Sequence, residues 1–431
     1  MTPLRCLMGF VMLLAVQLAD AGPKIERWQT PSGARVLFVE SHSLPILDVQ
    51  VDFAAGTARE AEGKAGSAAL THALLDLGVP GMDETQIASR LADLGAKLSG
   101  GVDMDRASVA LRTLSMVDKR GPALDLLRQI LAQPLFPNDA FERERARTVA
   151  ALKEALTRPD AIASKAFWAA TYGAHPYARQ ATPESVGALE RSDLIDFHAR
   201  NYCAQRATIA IVGDLSRAEA EVLAADLSLA MPAGKPAEAL AEPVLPSGGE
   251  RRIAHPAAQA HLLLGLPTIR RGDPEFFPLL VGNYSLGGGG FVSRLMKEVR
   301  DKRGLAYSVQ SYFHPLGQLG PFQIGMQTKK EQADEALRVT REVLATFLGQ
   351  GPSEAELLAA KQNLIGSFPL RLDSNRKILE NVALIGFYDL PLDYLDRYQE
   401  NIERVTVERV RAAFSRVLRP GQMVTVVVGG E

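Results

Sequence analysis

The two halves of this chain end on the same kind of strand, and this echo is the feature that most constrains the fold. RATIAIVGDL at 206–215 and QMVTVVVGGE at 422–431 are both runs of apolar, mostly β-branched residues that stop at glycine. Such a run is typical of a strand that is buried on both faces. Each half also mixes strand-like segments with segments of helical periodicity. The echo is short, so it supports a duplicated α+β unit without proving it.

A proline-rich stretch separates the two halves. Residues 231–250, MPAGKPAEALAEPVLPSGGE, carry four prolines and little periodic pattern, as a linker does. We therefore predict an N-terminal domain over 22–230 and a C-terminal domain over 251–431, each a mostly antiparallel sheet packed with helices. At 431 residues, 47% of them hydrophobic and 23% charged, the chain is long enough for two such cores.

Periodicity locates several elements within these domains. Apolar and polar residues alternate over 48–53, which predicts a strand with one buried face. Helices are predicted over 138–157 and, as one long element, over 275–302. The segments LAYSVQSYF (305–313) and GPFQIGMQT (320–328) follow and predict a pair of strands.

The first 21 residues have the pattern of a secretory signal peptide. A single basic residue, Arg5, precedes an apolar run, and Ala19-Asp20-Ala21 forms an A-x-A cleavage pattern. We expect cleavage near Ala21 and export to the periplasm, without stable membrane insertion; an uncleaved N-terminal anchor is the alternative. The mature chain would keep one cysteine, Cys203, and could form no internal disulfide. The net charge of −2 gives no case for nucleic acid as a partner.

The segment GSAALTHALLDLG (66–78) reads as a helix that could hold a metal but has only one histidine, His72. Its apolar residues form the stripe expected of a core helix, namely Ala69, Leu70, Ala73, Leu74 and Leu77. A lone histidine cannot build a tetrahedral zinc site without ligands from elsewhere. From the residues alone, a structural or surface role for His72 is favoured.

Four segments carry a resemblance to a known family. They are VDFAAGTARE, GSAALTHALLDLG, the run from HPYARQ to AIVGDL, and SLGGGGFVSRLMKEVRDKRGLAYSV, in that order along the chain. The chain resembles the pitrilysin-like or insulinase-like zinc peptidases, the M16 family, over nearly all of its mature length. The resemblance implies two homologous α+β domains of the LuxS/metallopeptidase-like architecture.

The departure from the family pattern concerns zinc. Catalytic members carry H-x-x-E-H on the helix that matches residues 66–78. The resemblance sets Ala69 and Ala73 at the two histidine positions, His72 at the general-base position, and Ala151 at the third-ligand position, with Glu154 one turn later.

An alternative register of the same helix makes His72 the second histidine. The first histidine would then be Ala68, and the glutamate would be Thr71. In either register at least two ligands and the base are missing, so we expect no metal and no peptide cleavage from this chain alone.

The second half keeps a pair of residues that the resemblance implies are substrate-binding, Arg300 and Tyr307. Gly304 is expected to cap the helix that carries Arg300, so that both side chains could face one cavity. From the residues alone, Arg300 could instead cap its helix or pair with an acid, and Tyr307 could fill the core. Gly288 and Gly289, in the glycine run SLGGGG, are further candidates for contact with a substrate backbone; a flexible turn is the alternative.

These features together predict a function. We expect a non-catalytic, substrate-binding subunit of a heterodimeric periplasmic M16-type zinc peptidase, acting on a peptide or an unfolded protein. Its partner would carry the H-x-x-E-H motif and the zinc ion, and Arg300 and Tyr307 would complete that partner's site. The alternatives are a non-proteolytic structural or binding protein of the same fold and, less favoured, an autonomous hydrolase that uses His72 and Glu154.

Overall fold

The computed structural model describes residues 22–429, and the predicted signal peptide at 1–21 lies outside the described residues. Two units, each of helices packed on one main sheet, make up this part of the chain, which confirms the predicted α+β class. The segment 231–248 between them contains no helix or strand. None of the helices described here is both long enough and apolar enough to cross a membrane.

The first unit is built on a six-stranded sheet and a short two-stranded one. The strands are Glu26–Gln29 (β1), Arg35–Glu40 (β2), Ile46–Phe53 (β3), Gly78–Val79 (β4), Met82–Asp83 (β5), Lys97–Val102 (β6), Ala107–Leu114 (β7) and Ala207–Gly213 (β8). The helices are Ser67–Ala73 (α1), Glu84–Asp93 (α2), Val117–Ala132 (α3), Asn138–Ala155 (α4), Pro159–Tyr172 (α5), Pro183–Gly187 (α6), Arg191–Asn201 (α7) and Arg217–Ala230 (α8). The order in the large sheet is β1-β2-β8-β3-β7-β6.

The second unit is built on a five-stranded sheet. Its strands are Gly249–Ile253 (β9), Gln259–Ile269 (β10), Ala306–Phe313 (β11), Gly320–Lys329 (β12) and Val424–Val428 (β13). Its helices are Phe276–Asn283 (α9), Ala333–Gln350 (α10), Glu354–Gly366 (α11), Asn375–Phe387 (α12), Tyr398–Glu403 (α13) and Val407–Val417 (α14). The order in the sheet is β9-β13-β10-β12-β11.

The two sheets share one topology. In the first, β8 lies between β2, to which it runs parallel, and β3, to which it runs antiparallel. In the second, β13 lies in the same way between parallel β9 and antiparallel β10. The two strands that echo each other in the sequence thus hold equivalent places, and the edge strands β6 and β11 are equivalent as well.

Each sheet is covered on one face by a helix from the other unit. Helix α12 of the second unit packs across β8, β3 and β2, and α5 of the first unit packs on β10 and β13. Glycine allows the close approach at both contacts. An added Cβ at Gly386 would lie 2.3 Å from Leu37 Cδ1, and one at Gly265 would lie 2.8 Å from Phe167 Cζ.

Helix α12, which the second unit packs on the first sheet, makes the prediction for strand β3 wrong. Strand β3 was predicted to have one buried face, but Asp48 and Asp52 on its polar side are buried too. Arg112 donates to both carboxylate oxygens of Asp48 at 2.7 and 2.9 Å, and Arg106 donates to Asp52 at 2.9 Å. These ion pairs let two carboxylates lie beneath a helix that the local sequence could not reveal.

The predicted long helix over 275–302 is also wrong. Helix α9 ends at Asn283, and a π-turn over Tyr284–Gly288, a 3₁₀ turn over Gly290–Val292 and a second π-turn over Met296–Asp301 follow it. The consecutive glycines have low helix propensity, and the Gly289 N–H reaches the Tyr284 carbonyl five residues back, at 2.9 Å.

Candidate functional site

Helix α1 begins on a buried carboxyl group. The side chain of Glu60 accepts hydrogen bonds from the backbone N–H groups of Gly66 and Ala68, both at 2.9 Å. Burial raises the pKa of Glu60 to about 7, although the two backbone hydrogen bonds act to lower it. Gly66 adopts a positive φ of 103°, which turns the chain sharply into the helix.

Helix α1 turns the two predicted ligand positions outward. Ala69 and Ala73 are exposed, whereas Leu70 and Leu74 are buried. The prediction that both alanines belong to a core stripe is therefore wrong. The helix is also shorter than predicted, since it ends at Ala73 and β4 begins at Gly78.

The alternative register fails on the same helix. It would give Ala68 the ligand role and Thr71 the base role, yet both side chains are buried in the core of the first unit. Neither position could present a group to an ion and a water molecule. The register that uses Ala69 and Ala73 is therefore the one that the helix geometry supports.

His72 is half-buried and already bonded. Its Nε2 donates to the Ser108 carbonyl oxygen at 2.8 Å, and the ring lines a small cavity of about 160 Å³ beside β6. On α4, Ala151 and Glu154 are both exposed. Within residues 22–429, no three His, Cys, Asp or Glu side chains come together in a way that could hold a metal ion. The residues at the matched positions do not fit a zinc ion.

A cavity of about 500 Å³ lies beside Ala69, lined almost entirely by the first unit. Trp168 of α5, Arg179 and Ala69 come from the first unit, and His314 comes from the second. Arg179 donates to the Glu60 backbone carbonyl at 2.7 Å. Burial lowers the pKa of His314, which favours the neutral ring. The cavity lining thus includes an indole ring, a guanidinium group and the carboxyl group of Glu60.

Buried Asp105 fixes one unit to the other near this cavity. It lies in the β6–β7 turn and accepts hydrogen bonds from the Tyr177 hydroxyl at 2.5 Å and from the Gly317 N–H at 2.8 Å. The Tyr388 hydroxyl, at the end of α12, donates to it at 2.9 Å. Burial, reinforced by Asp105, raises the pKa of both tyrosines, so they remain donors.

The segment that carries Arg300 ends as predicted. Arg300 lies in the π-turn over Met296–Asp301, and Gly304 has a φ of 62°. The Gly304 N–H bonds the Arg300 carbonyl at 2.8 Å, and the Leu305 N–H bonds the Val299 carbonyl at 2.9 Å. This left-handed cap turns the chain directly into β11, which brings Arg300 beside Tyr307.

Arg300 and Tyr307 lie together on an open surface. The Arg300 Cζ atom is 5.6 Å from the centre of the Tyr307 ring, and its ion pair is with the adjacent Asp301 at 3.5 Å. Tyr307 is 85% exposed, so the interpretation that it fills the core is wrong. Tyr307 is therefore open to solvent, and Arg300 beside it is half-buried.

The glycine run packs against its own chain. An added Cβ at Gly288 would lie 2.6 Å from Asn283 Nδ2, and one at Gly289 would lie 2.6 Å from the Tyr284 carbonyl oxygen. The run is therefore a compact turn in which any larger residue at these two positions would collide with the preceding segment of the chain. Contact of Gly288 or Gly289 with a substrate stays a prediction.

The sequence alone did not reveal one neighbour of the pair, Phe291. Its ring centre is 4.8 Å from the Arg300 Cζ atom, and the side chain is 66% exposed. The sequence did contain one indication of its role. Phe291 is a large apolar residue directly after four glycines, a position where a surface turn rarely has a large apolar side chain.

Comparisons with known proteins give a consistent result. Residues 35–183 match the family described as insulinase (peptidase family M16), and residues 188–364 match the peptidase M16 inactive domain. A solved M16 inactive-domain structure from Pseudomonas fluorescens superposes with a TM-score of 0.91 at 39% identity, over 94% of this chain and 98% of that one.

Two curated relatives are named differently, one as a zinc protease and the other as a non-peptidase homolog. One, from Mycobacterium tuberculosis, is named an uncharacterized zinc protease and is 26% identical over 91% of this chain and 90% of its own length. The other, from Helicobacter pylori, is named the non-peptidase homolog YmxG and is 24% identical over 87% of each chain.

Proposed function

Because this chain belongs to peptidase family M16 as a non-catalytic member, we propose that it is the substrate-binding subunit of a two-chain zinc peptidase. Its partner would be a relative that carries the H-x-x-E-H motif, and the ligand would be a peptide or an unfolded protein. The site would form where the two chains face each other, in the periplasm.

One contrast between the two halves carries this proposal. The positions matched to zinc ligands, Ala69, Ala73 and Ala151, are exposed and offer no donor atom. Arg300 and Tyr307, in contrast, lie together at the surface, with Tyr307 exposed and Arg300 half-buried. A site with the polar pair but without metal ligands would be incomplete in one chain. A second chain would supply the zinc ion and its ligands.

The pair has a definite task in such a site. The partner would supply the zinc ion, and this chain would supply donors. The Arg300 guanidinium can donate to a peptide carbonyl, which holds the backbone in place. The Tyr307 hydroxyl can donate to the same region as negative charge develops on the carbonyl oxygen, which stabilises that charge most once the facing chain has excluded water.

The test is reconstitution. This chain and a zinc-motif relative from the same organism are assayed separately and mixed, with fluorescein-labelled casein as an unfolded substrate. We expect activity in the mixture and not in this chain, and a fall of about 100-fold in kcat/KM for Tyr307→Phe. Tyr312→Phe, on the same strand, is the matched control and should leave kcat/KM unchanged. Full activity of the relative alone, or equal behaviour of the two variants, would overturn the proposal.

Export is tested separately. The A-x-A pattern at residues 19–21 supports cleavage after Ala21. Cell fractionation and N-terminal sequencing of the mature chain should find it in the periplasm, beginning at Gly22. A chain that keeps its first residues and sediments with membranes would support the uncleaved anchor instead.

A second candidate is a peptide-binding protein without a role in cleavage. The cavity beside Trp168 and Arg179 favours it, and so does the name of the Helicobacter pylori relative as a non-peptidase homolog. Binding of labelled casein by this chain alone, lost in Arg179→Ala and unaffected by Tyr307→Phe, would support this candidate over the first.

A further inference from the structure

We propose that Phe291 is a positioning residue of the Arg300–Tyr307 site, holding the guanidinium in place by stacking. This inference rests on the proposed function, because it assigns a task within the same site. Phe291 would not touch the reacting atoms and would act through Arg300.

The contacts around Arg300 are mostly aromatic. Its Cζ atom lies 4.8 Å from the centre of the Phe291 ring and 5.6 Å from that of Tyr307. Its ion pair, with the adjacent Asp301, is at 3.5 Å and is half exposed to solvent. Aromatic faces attract a guanidinium while leaving its N–H edge free to donate. Two rings therefore hold the side chain without using its donors.

The turn that carries Phe291 is anchored on both sides. Before it, the buried Asn283 and Ser311 exchange hydrogen bonds, Asn283 Nδ2 to the Ser311 carbonyl at 2.9 Å and Ser311 Oγ to Asn283 Oδ1 at 2.6 Å. After it, Ser293 Oγ donates to the Gly290 carbonyl at 2.7 Å. The glycine run closes tightly between these anchors, which hold the backbone that carries the exposed phenyl ring beside Arg300.

The chemistry of the site narrows its ligand class. A guanidinium beside two rings, with N–H groups that Asp301 does not engage, suits the carbonyl oxygens of an extended backbone. Recognition through the backbone does not depend on side-chain charge. The site would accept extended peptides of varied sequence.

The first experiment needs no partner. The isolated chain is labelled with phenylglyoxal, and modification of Arg300 is measured by mass spectrometry against exposed Arg376 in the same digest. Phe291→Leu removes the ring but keeps apolar bulk, so the Arg300 rate should rise about two- to five-fold. Phe291→Tyr keeps a ring and should restore protection. Val292→Ala, an exposed neighbour at 52%, is the matched control and should change nothing.

The second experiment uses the reconstituted mixture and labelled casein. Phe291→Leu should lower kcat/KM about two- to five-fold, and should cause no further loss when Arg300→Ala is already present. If Arg300→Ala lowers activity while Phe291→Leu behaves like Val292→Ala in both experiments, the inference is wrong and the proposed function stands. If Arg300→Ala and Tyr307→Phe have no effect, the proposed function itself fails, whatever the labelling shows.

Discussion

Strands β6 and β11 are the equivalent edges of the two sheets, and the residues beside them differ in kind. Beside β6, helix α1 presents Ala69 and Ala73, small side chains without donor atoms. On β11, Tyr307 presents a phenol to solvent, and the half-buried cation Arg300 lies beside it. None of these four residues belongs to a hydrophobic core, since Ala69, Ala73 and Tyr307 are exposed and Arg300 is half-buried. The same architecture therefore carries side chains of opposite chemistry at its two equivalent edges.

The largest expected effect comes from introducing zinc ligands beside β6. The variant Ala69→His, His72→Glu, Ala73→His, Ala151→Glu places three ligands at exposed positions of α1 and α4, two helices in contact, and a base at the half-buried position 72. We expect one zinc ion per chain, with a Kd of about 1 µM or tighter, measured by metal analysis and titration. Ala68→His with Thr71→Glu is the control for the alternative register. It should unfold the chain or bind no zinc, because both positions are buried. Equal zinc binding by the two variants would contradict the assignment.

The second-largest expected effect comes from Asp105, which joins the two units. Asp105→Ala removes the acceptor for two tyrosine hydroxyls and one backbone N–H, all of them buried or partly buried. We expect the free energy of unfolding to fall by about 3–5 kcal/mol in urea titrations. Exposed Asp226→Ala should change it by less than about 0.5 kcal/mol. A small loss at Asp105 would mean that the units are held together elsewhere.

A smaller effect is expected from Glu60, at the start of α1, which should make the stability of the chain depend on pH. The pKa of Glu60 is about 7 in the folded chain and ordinarily 4.5, so the folded state binds more protons between these values. Stability from this group is therefore greatest below pH 4.5 and is lost as the pH rises to 7, by about 2–3 kcal/mol. Glu60→Gln should remove this dependence when urea unfolding is compared at pH 5 and pH 8. An unchanged slope would show that Glu60 ionises normally.

The smallest expected effect tests the glycines near each edge. Gly289→Ala would bring a methyl group 2.6 Å from the Tyr284 carbonyl oxygen and should lower the free energy of unfolding by on the order of 1 kcal/mol. Gly101→Ala, on β6, meets nothing within 4 Å and should be neutral or slightly stabilising. Thermal unfolding of the two variants makes the comparison. If Gly289→Ala were neutral, the glycine run would be a flexible turn after all.

Local sequence predicted the parts of this fold that local forces decide. The buried strand β8, the paired strands β11 and β12 and the cap at Gly304 all follow from patterns a few residues long. Asp48 and Asp52 were misjudged because their cover, α12, comes from more than 300 residues away. The interruption after Asn283 was missed because the apolar periodicity continues on both sides of the glycines.

The candidate site was predictable to the same degree. The family resemblance singled out Arg300 and Tyr307, and the expected cap at Gly304 predicted that the two side chains could meet. The direction of Ala69 and Ala73 was not, because alanine fits a core stripe and a solvent face equally well. Phe291 was missed because its contact with Arg300 depends on two π-turns, for which no short pattern is available.

The exchange of α5 and α12 has a consequence for motion. If the chain were cut within residues 231–248, each sheet would lose the helix that seals one of its faces, so neither fragment is expected to express as a soluble domain. The irregular connection is therefore no hinge. If an enzyme assembled from this chain opens to admit a polypeptide and then closes, that movement must take place between separate chains. The fraction of closed enzyme would then depend on the concentrations of the two chains.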